Sequence, residues 1–370
     1  MSGEETSVQS APQAFATRSI GRRGIERFAW IDTARGMTMV LVVLLHADHV
    51  ADHIGNQVLL ITLLNYALFP MRMPMFFLIS GLLAAGLLRR SAGEVMRRRV
   101  LHYAWLYTLW LVLYSVVHTW ALRDLGSPVL QAEYVSIQGP ISALIVTGNE
   151  IWFLYALMLF FLAALLLRRL PVAAQAAIAL ALAVPGLLKL GAAVGLPVID
   201  RFYHFPYFML GILGAEHLRD TLPRLGRLRI FVPLAVTCLV LAALAHQQRI
   251  VRDPSVVTAL SLIAVPAGIG LAVWLTRHVP RLMTPLQLVG RNTLAIYVLH
   301  TITLRLLLAY VPPPGGLLDV VWLVGLTLGA VALAVALGKL LEPIPGLFGL
   351  PWNDRSSPRR TSSEPVVRST

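Results

Sequence analysis

Apolar runs of roughly 20 residues recur along almost the whole chain, and they constrain its fold more than any other feature. A run of that length is what a helix needs to cross the hydrocarbon core of a bilayer. Only 13% of the residues are charged, which is too few for the surface of a soluble domain. The sequence therefore predicts an all-α, polytopic integral membrane bundle of about ten transmembrane helices. The predicted spans are residues 28–49, 58–88, 100–121, 150–168, 172–190, 202–218, 229–246, 255–276, 286–311 and 317–341.

The distribution of basic residues predicts the orientation of the bundle. The chain has 31 Lys and Arg against 18 Asp and Glu, a net charge of +13. Such an excess would suggest nucleic-acid binding in a soluble protein, whereas in a membrane protein it concentrates in cytoplasmic loops. With the N-terminus inside, 22 of the 31 basic residues fall in inner segments, 5 in outer loops and 4 within spans. We therefore expect both termini inside and no nucleic-acid partner.

Three segments follow from the same pattern. Residues 1–27 are polar and lack an apolar core, so they are predicted to be a disordered basic cytoplasmic tail rather than a cleavable signal peptide. Residues 28–341 form the predicted transmembrane domain, and residues 342–370 a cytoplasmic C-terminal tail. The single Cys238 cannot form an intrachain disulfide, and no Cys and His spacing suggests a metal site.

The second span carries Pro70 and Pro74 in its middle and is long for one plain helix. Because proline removes a backbone donor and clashes with the preceding turn, we expect an outer irregular piece followed by an inner helix. Backbone groups freed at such a break can line a cavity inside a membrane protein. Arg72, between the two prolines, is therefore a candidate for substrate contact, with structural hydrogen bonding as the alternative.

The first span contains polar residues that a membrane helix rarely carries. Charged and titratable groups are costly inside a bilayer, so their presence indicates a functional site by default. Arg35 and His46 are separated by eleven residues, which places them roughly 16 Å apart along the axis and nearly on one face. The polar residues of this span are Asp32, Arg35, His46, Asp48 and His49.

The predicted orientation assigns depths to these groups. Arg35 falls in the inner half of the first span and His46 in its outer half. His300, in the ninth span, and Glu150, at the outer start of the fourth, fall at a depth similar to that of His46. The sequence gives this common depth without showing that the three groups meet.

Four segments in order give the chain a family resemblance. They are Arg27-x4-Asp32-x2-Arg35-Gly36 followed by His46, the MPMFFLISG of residues 73–81, the EIWFL of residues 150–154 and the VGRNTLAIYVLH of residues 289–300. They resemble the Arg-x10-His element and the MPLFFxxSG, xxWFL and LGxxSLxIYxxH motifs of the acyltransferase-3 superfamily of bacterial membrane acyltransferases. Within that superfamily the chain is similar to the sugar O-acetylase, fucose 4-O-acetylase-like branch, over about residues 27–341. Arg72 departs from that branch, which often has His there.

The resemblance implies transfer of an acyl group, usually acetyl from acetyl-CoA, to a hydroxyl of a cell-envelope carbohydrate at the bacterial inner membrane. His46 is then the candidate general base, because an imidazole near its ordinary pKa suits removal of a hydroxyl proton. Glu150 and His300 are candidate assistants. The alternatives are a His46 hydrogen-bonded between helices, an interfacial Glu150 at a helix start and a His300 that only packs.

The same resemblance assigns the acyl-CoA. Arg35 would bind a phosphate or pantetheine amide, for which a guanidinium is suited, and its alternative is an i,i+3 pair with Asp32. Arg97, Arg98 and Arg99 would attract the CoA phosphates, or serve only as a topology signal and lipid headgroup contact. Arg72 and Asp48 are assigned to the acceptor. The expected partners are the lipid bilayer, acyl-CoA and a carbohydrate or lipid-linked glycan, with no metal.

A secondary transporter or flippase of a lipid-linked sugar is the alternative from another class. Ten spans, a broken helix and buried charges fit that class too. Such a fold often carries inverted repeats, and the four motif segments do not recur within the chain. The sequence therefore favours the enzyme.

Overall fold

The computed structural model describes residues 13–117 and 151–351, and the side chains of residue 29 onwards within them. All regular elements in these ranges are helical. They are α1 (Gln13–His53), α2 (Leu59–Leu88), α3 (Ala92–Val95), α4 (Leu101–Val116), α5 (Trp152–Leu167), α6 (Val172–Leu187), α7 (Leu190–Ala193), α8 (Pro197–Asp200), α9 (Phe205–Leu213), α10 (Ala215–Thr221), α11 (Leu228–Gln247), α12 (Pro254–His278), α13 (Pro280–Arg291), α14 (Thr293–Tyr310) and α15 (Leu318–Leu341). A π-helical segment, Met96–Val100, joins α3 to α4, and 3-10 segments lie at Arg201–His204 and Leu222–Gly226.

Six helices in the described ranges are long and apolar enough to cross a membrane. They are the Ala29–His53 part of α1 together with α2, α11, α12, α14 and α15. The helices α5 and α6 are apolar as well but have only 16 residues each. The predicted all-α, multi-pass membrane architecture is thereby confirmed. The number of ten spans and the inside position of both termini stay predictions.

The helix α1 lies at the centre of the described bundle. It packs against α2, α12, α13, α14 and α15. Its contact with α13 is unusually close, because a Cβ atom at Gly36 would overlap the backbone carbonyl of Leu286. Five neighbouring helices therefore fix the position of the segment that carries Arg35 and His46.

The helix α2 is continuous through both prolines, so the predicted break in the second span was wrong. Pro70 and Pro74 lie inside the 30-residue helix Leu59–Leu88. Neighbouring groups can satisfy the carbonyls that a proline leaves without a donor in a membrane helix. Arg72, between the two prolines, donates from its guanidinium to the Asn65 carbonyl of the same helix and to the Leu41 carbonyl of α1.

The predicted ninth span, 286–311, is two helices rather than one. α13 ends at Arg291 and α14 begins at Thr293, with Asn292 between them outside the helical region at φ −104° and ψ 20°. The Asn292 amide donates to the Leu288 carbonyl, which closes the last turn of α13. The side chain of Asn292 thus competes with the backbone pattern that would have continued the helix.

The first helix also begins earlier than expected. α1 starts at Gln13, inside the segment predicted to be a disordered tail. Its first turns contain Ala, Glu and Arg, which are good helix formers. The boundaries of the three predicted segments otherwise stay predictions.

Candidate functional site

A polar cavity of about 200 Å³ lies between α1, α2, α4, α5 and α14. Arg35 contributes a guanidinium from α1, and Arg99 contributes a second from the π-helical segment before α4. The other residues that line the cavity are Phe76, Ser80, His102, Tyr103, Phe153, Leu154, Leu157, Thr293, Leu294 and Tyr297. Among the described residues the lining contains two arginines and no carboxylate, which is the composition expected around an anionic or strongly accepting ligand.

Arg35 is held by the start of α14. Its Nη2 donates to the Thr293 Oγ1 at 2.5 Å. Thr293 is the first residue of α14, so the break at Asn292 sets the place of this contact. Asp32, the expected alternative partner of Arg35, instead accepts from Arg291 Nε at 3.0 Å. The Asp32 carboxylate therefore pairs with Arg291 and not with Arg35.

The three consecutive arginines have different surroundings. Arg97 and Arg98 are exposed, and Arg98 Nε pairs with Glu94 at 3.0 Å. Arg99 is half-buried, with its guanidinium carbon 5.5 Å from the centre of the Phe161 ring, and it lines the cavity. All three lie in a π-helical turn, a local widening that is frequent at functional sites. Of the three arginines predicted to attract the CoA, Arg99 is the one that lines the same cavity as Arg35.

The two candidate histidines are neighbours. The ring centres of His46 on α1 and His300 on α14 are 4.8 Å apart. His300 is fully buried, and its Nδ1 lies 2.7 Å from the Tyr297 carbonyl. His46 is only partly buried, and the His49 ring lies 6.2 Å away. The common depth predicted for His46 and His300 thus corresponds to a direct contact, while their catalytic roles stay predictions.

Tyr297 connects the cavity to the histidine pair. Its side chain lines the cavity, and the centre of its ring is 5.8 Å from that of His300. Thr293, Tyr297 and His300 are spaced at i, i+4 and i+7, so they lie on one face of α14. That face meets the face of α1 that carries Arg35 and His46. The two polar groups are therefore parts of one continuous stripe between two helices.

Asp48 and Arg72 are placed differently from this stripe. Asp48 is 4% exposed, and its two carboxylate oxygens accept from Thr62 Oγ1 and Asn65 Nδ2, both at 2.9 Å. Arg72 is 2% exposed and donates to the Asn65 and Leu41 carbonyls. Neither residue lines the Arg35 cavity. These contacts join α1 to α2 and agree with the structural alternative for Arg72.

Glu150 lies outside the described residues. The chain directly after it is described, and there the Phe153 backbone N–H donates to the Tyr297 hydroxyl at 3.0 Å. The xxWFL-like segment therefore meets the VGRNTLAIYVLH segment at Tyr297, which explains why the two motifs occur together. The role predicted for Glu150 stays a prediction.

Sequence reasoning missed His102 and Thr293 as lining residues. The signal for Thr293 was its i, i+7 spacing from His300, which places both on one helix face. The signal for His102 was its i+3 spacing from Arg99. Neither spacing identifies a lining residue by itself, because the cavity also depends on the break at Asn292 and on the π-helical turn.

Comparison with known proteins gives one match. A family model described as an acyltransferase domain matches residues 28–339 of the chain. No curated protein and no solved structure matches it. The matched range contains the Arg35 cavity and the His46–His300 pair, and it ends inside α15.

Proposed function

This chain belongs to the acyltransferase-3 family, and we propose that it is a membrane O-acyltransferase that moves an acyl group, in the simplest case acetyl, from acyl-CoA to a hydroxyl of a cell-envelope carbohydrate. The observation that carries this proposal is the polar stripe between α1 and α14. It has a two-arginine cavity at one end and an imidazole pair at the other. Family membership implies acyl transfer, and the stripe supports this choice of donor and acceptor.

The cavity suits part of an acyl-CoA. Arg35 and Arg99 offer guanidinium groups that can form paired hydrogen bonds with phosphate or amide oxygens. The cavity is too small for the whole donor, so the nucleotide would remain at the Arg99 end, near Arg97 and Arg98. Arg35 and His46 are roughly 16 Å apart along α1, a distance that an extended pantetheine arm spans. The thioester would then lie beside His46.

The histidine pair suits transfer to an alcohol. The acceptor oxygen attacks the thioester carbonyl carbon, the new C–O bond forms and the C–S bond breaks. His46 takes the hydroxyl proton as general base and passes it to the departing thiolate. His300 acts as a positioning residue. Because a carbonyl only accepts, the Nδ1 of His300 donates to the Tyr297 carbonyl, and its Nε2 is then the acceptor nitrogen of the neutral ring.

The acceptor would approach from the side of the membrane on which His46 lies. With the N-terminus inside, this is the outer side of a bacterial inner membrane, so a lipid-linked or periplasmic glycan is the proposed acceptor. Glu150 would assist there. The transporter or flippase alternative receives no support from the family match.

The test is acyl-CoA turnover by the protein in nanodiscs. Thiol release from acetyl-CoA is followed with and without a cell-envelope glycan extract, for the wild type, His46→Ala and His53→Ala. His53 is an exposed residue near the end of the same helix and serves as the matched control. We expect glycan-dependent release that falls by about 10²–10⁴-fold in His46→Ala and is unchanged in His53→Ala. A folded wild type that neither binds nor cleaves acetyl-CoA would refute the proposed donor.

A further inference from the structure

A second, larger cavity lies behind α1. It measures about 510 Å³ and lies between α1, α2, α11 and α12, with Leu286 of α13 at one end. Met37 and Leu41 form its α1 wall. At about 100° per residue, Met37 lies roughly 200° around the helix from Arg35. The cavity is therefore on the opposite side of α1 from the polar stripe and is no part of the proposed acyl-transfer site.

The lining of this cavity is apolar throughout. It consists of aliphatic, methionine and phenylalanine side chains, glycine and the thiol of Cys238, without a charged, amide or hydroxyl group. Water is not stable in such a space, because it finds no hydrogen-bond partners. Leu64 of α2 and Leu239 of α11 line the cavity and are 40% and 45% exposed. The cavity thus opens sideways, between two helices that are apolar enough to face lipid.

The volume fits one long alkyl chain. An apolar protein cavity of about 150 Å³ holds one benzene, with six carbons. At the same volume per carbon, this cavity of about 510 Å³ would hold about 20 carbons. That number exceeds any aliphatic side chain and matches one fatty-acyl chain of a phospholipid.

Three arginines lie near the starts of two helices that line the cavity, and we call them the basic rim. Phe231, a lining residue, follows Arg227 and Arg229 at the start of α11, and Leu286 follows Arg281 on α13. All three arginines are exposed, and the ion pairs of the described residues do not include them. Residues 221–252 and 254–318 contain no Asp or Glu at all. These two stretches therefore offer the three arginines no acidic partner, and their charge favours an anionic group.

We propose that this cavity binds one acyl chain of an anionic phospholipid, with its phosphate at Arg227, Arg229 and Arg281. The chain fills the space between α11 and α1, and the headgroup neutralises the basic rim. The bound lipid supports α1 on the side opposite Arg35 and His46. This inference is independent of the proposed acyl transfer, because it rests on different residues.

Native mass spectrometry of the delipidated full-length protein tests the proposal. Dioleoyl phosphatidylglycerol and dioleoyl phosphatidylcholine are added at equal concentrations. We expect one retained phosphatidylglycerol and clearly weaker retention of phosphatidylcholine. Ala235→Phe, which fills the cavity, should weaken retention by about tenfold, the effect of losing the burial of about two methylene groups. Ala243→Phe, at an exposed position of the same helix, should leave it unchanged.

The lone cysteine gives a second measurement that does not need a variant. Cys238 lines the cavity, so bound phosphatidylglycerol should slow its alkylation by N-ethylmaleimide. The double variant Arg227→Gln, Arg229→Gln should lose the preference for phosphatidylglycerol while keeping weak binding of both lipids. Equal retention of the two lipids by the wild type, or alkylation of Cys238 that phosphatidylglycerol does not slow, would overturn the proposal.

Discussion

Two of the polar contacts between α1 and its neighbours, one with α2 and one with α14, differ in how much space they leave for a ligand. On the α2 side, both oxygens of Asp48 accept hydrogen bonds, and Arg72 donates to two carbonyls in a water-excluded interface. On the α14 side, Arg35 makes one contact with Thr293 and otherwise lines a cavity, beside a partly accessible His46. Buried groups that pair with other groups of the protein stabilise a fold, whereas groups that open onto a cavity are available for a ligand.

The largest effect is expected at Arg72, on the α2 side of α1. Arg72→Met should lower the free energy of unfolding by about 2–4 kcal/mol, because two charge-assisted hydrogen bonds in a buried interface are lost. Activity per folded molecule should change little. Thermal unfolding in nanodiscs checks the first statement, and turnover normalised to folded protein checks the second. Arg98→Met, at an exposed position, is the control. A large loss of normalised turnover in Arg72→Met would place Arg72 at the acceptor after all.

His300 tests the other side of the comparison. His300→Ala should lower kcat by about 10–100-fold, since His46 loses its neighbour, while the melting temperature changes less than in Arg72→Met. The pH dependence of kcat should move as well, because a positioning residue sets the proton affinity of the base. A variant with the wild-type pH profile and only reduced stability would make His300 a packing residue.

Arg35 and Arg99 test whether the cavity on the α14 side of α1 binds the acyl-CoA. Replacing either by Gln should raise the KM for acyl-CoA by about tenfold with a smaller change in kcat, because a charge-assisted contact to the bound donor is lost. Arg97→Gln and Arg98→Gln should raise the KM for acyl-CoA much less, since these side chains lie outside the cavity. The four variants are compared by steady-state kinetics over acyl-CoA concentration. Equal effects at all four positions would indicate a diffuse electrostatic attraction instead of a defined cavity.

The smallest effect is expected at an exposed ion pair. Lys189 Nζ lies 2.7 Å from Asp253, and this hydrogen bond is the main reason that the pKa of Asp253 is lowered. A lowered pKa stabilises the fold above the unfolded value of about 3.9, and this contribution is lost as the pH falls through the folded value. Lys189→Met should therefore cost at most about 0.5 kcal/mol at neutral pH and nothing in strong acid. Unfolding at pH 7 and pH 3 measures both.

The sequence predicted those features that depend on local pattern. Apolar periodicity is enough to place the long helices, and the eleven-residue spacing places Arg35 and His46 on one face. Pro70 and Pro74 predicted a break because proline removes a backbone donor, and the sequence could not show that α2 runs through both. The break at Asn292 was missed although its cause is local, a side chain that competes with the backbone of the helix.

The arginine cluster shows the same limit within the site. Arg97, Arg98 and Arg99 are chemically identical in the sequence, and only the π-helical turn and the neighbouring Phe161 distinguish the one that lines the cavity. Arg72 was predicted to contact the acceptor because it lies between Pro70 and Pro74, and Asp48 belongs to the first span, whose charged groups indicated a functional site. The hydrogen bonds that these two residues make reach from one helix to another, so a pattern in one segment does not reveal them.

The two glycine contacts between α1 and α13 have a mechanical consequence. A Cβ atom at Gly36 would overlap the Leu286 carbonyl, and one at Gly290 would overlap the Asp32 carbonyl, so the two backbones touch at two levels. Sliding one helix by a single residue, about 1.5 Å, would drive a side chain into a carbonyl oxygen at both levels. α1 and α13 are therefore expected to move together as one rigid unit, and Asn292 connects that unit to α14. A movement that widens the space around Arg35 therefore has to bend the chain at Asn292 or displace α2, α4 or α5.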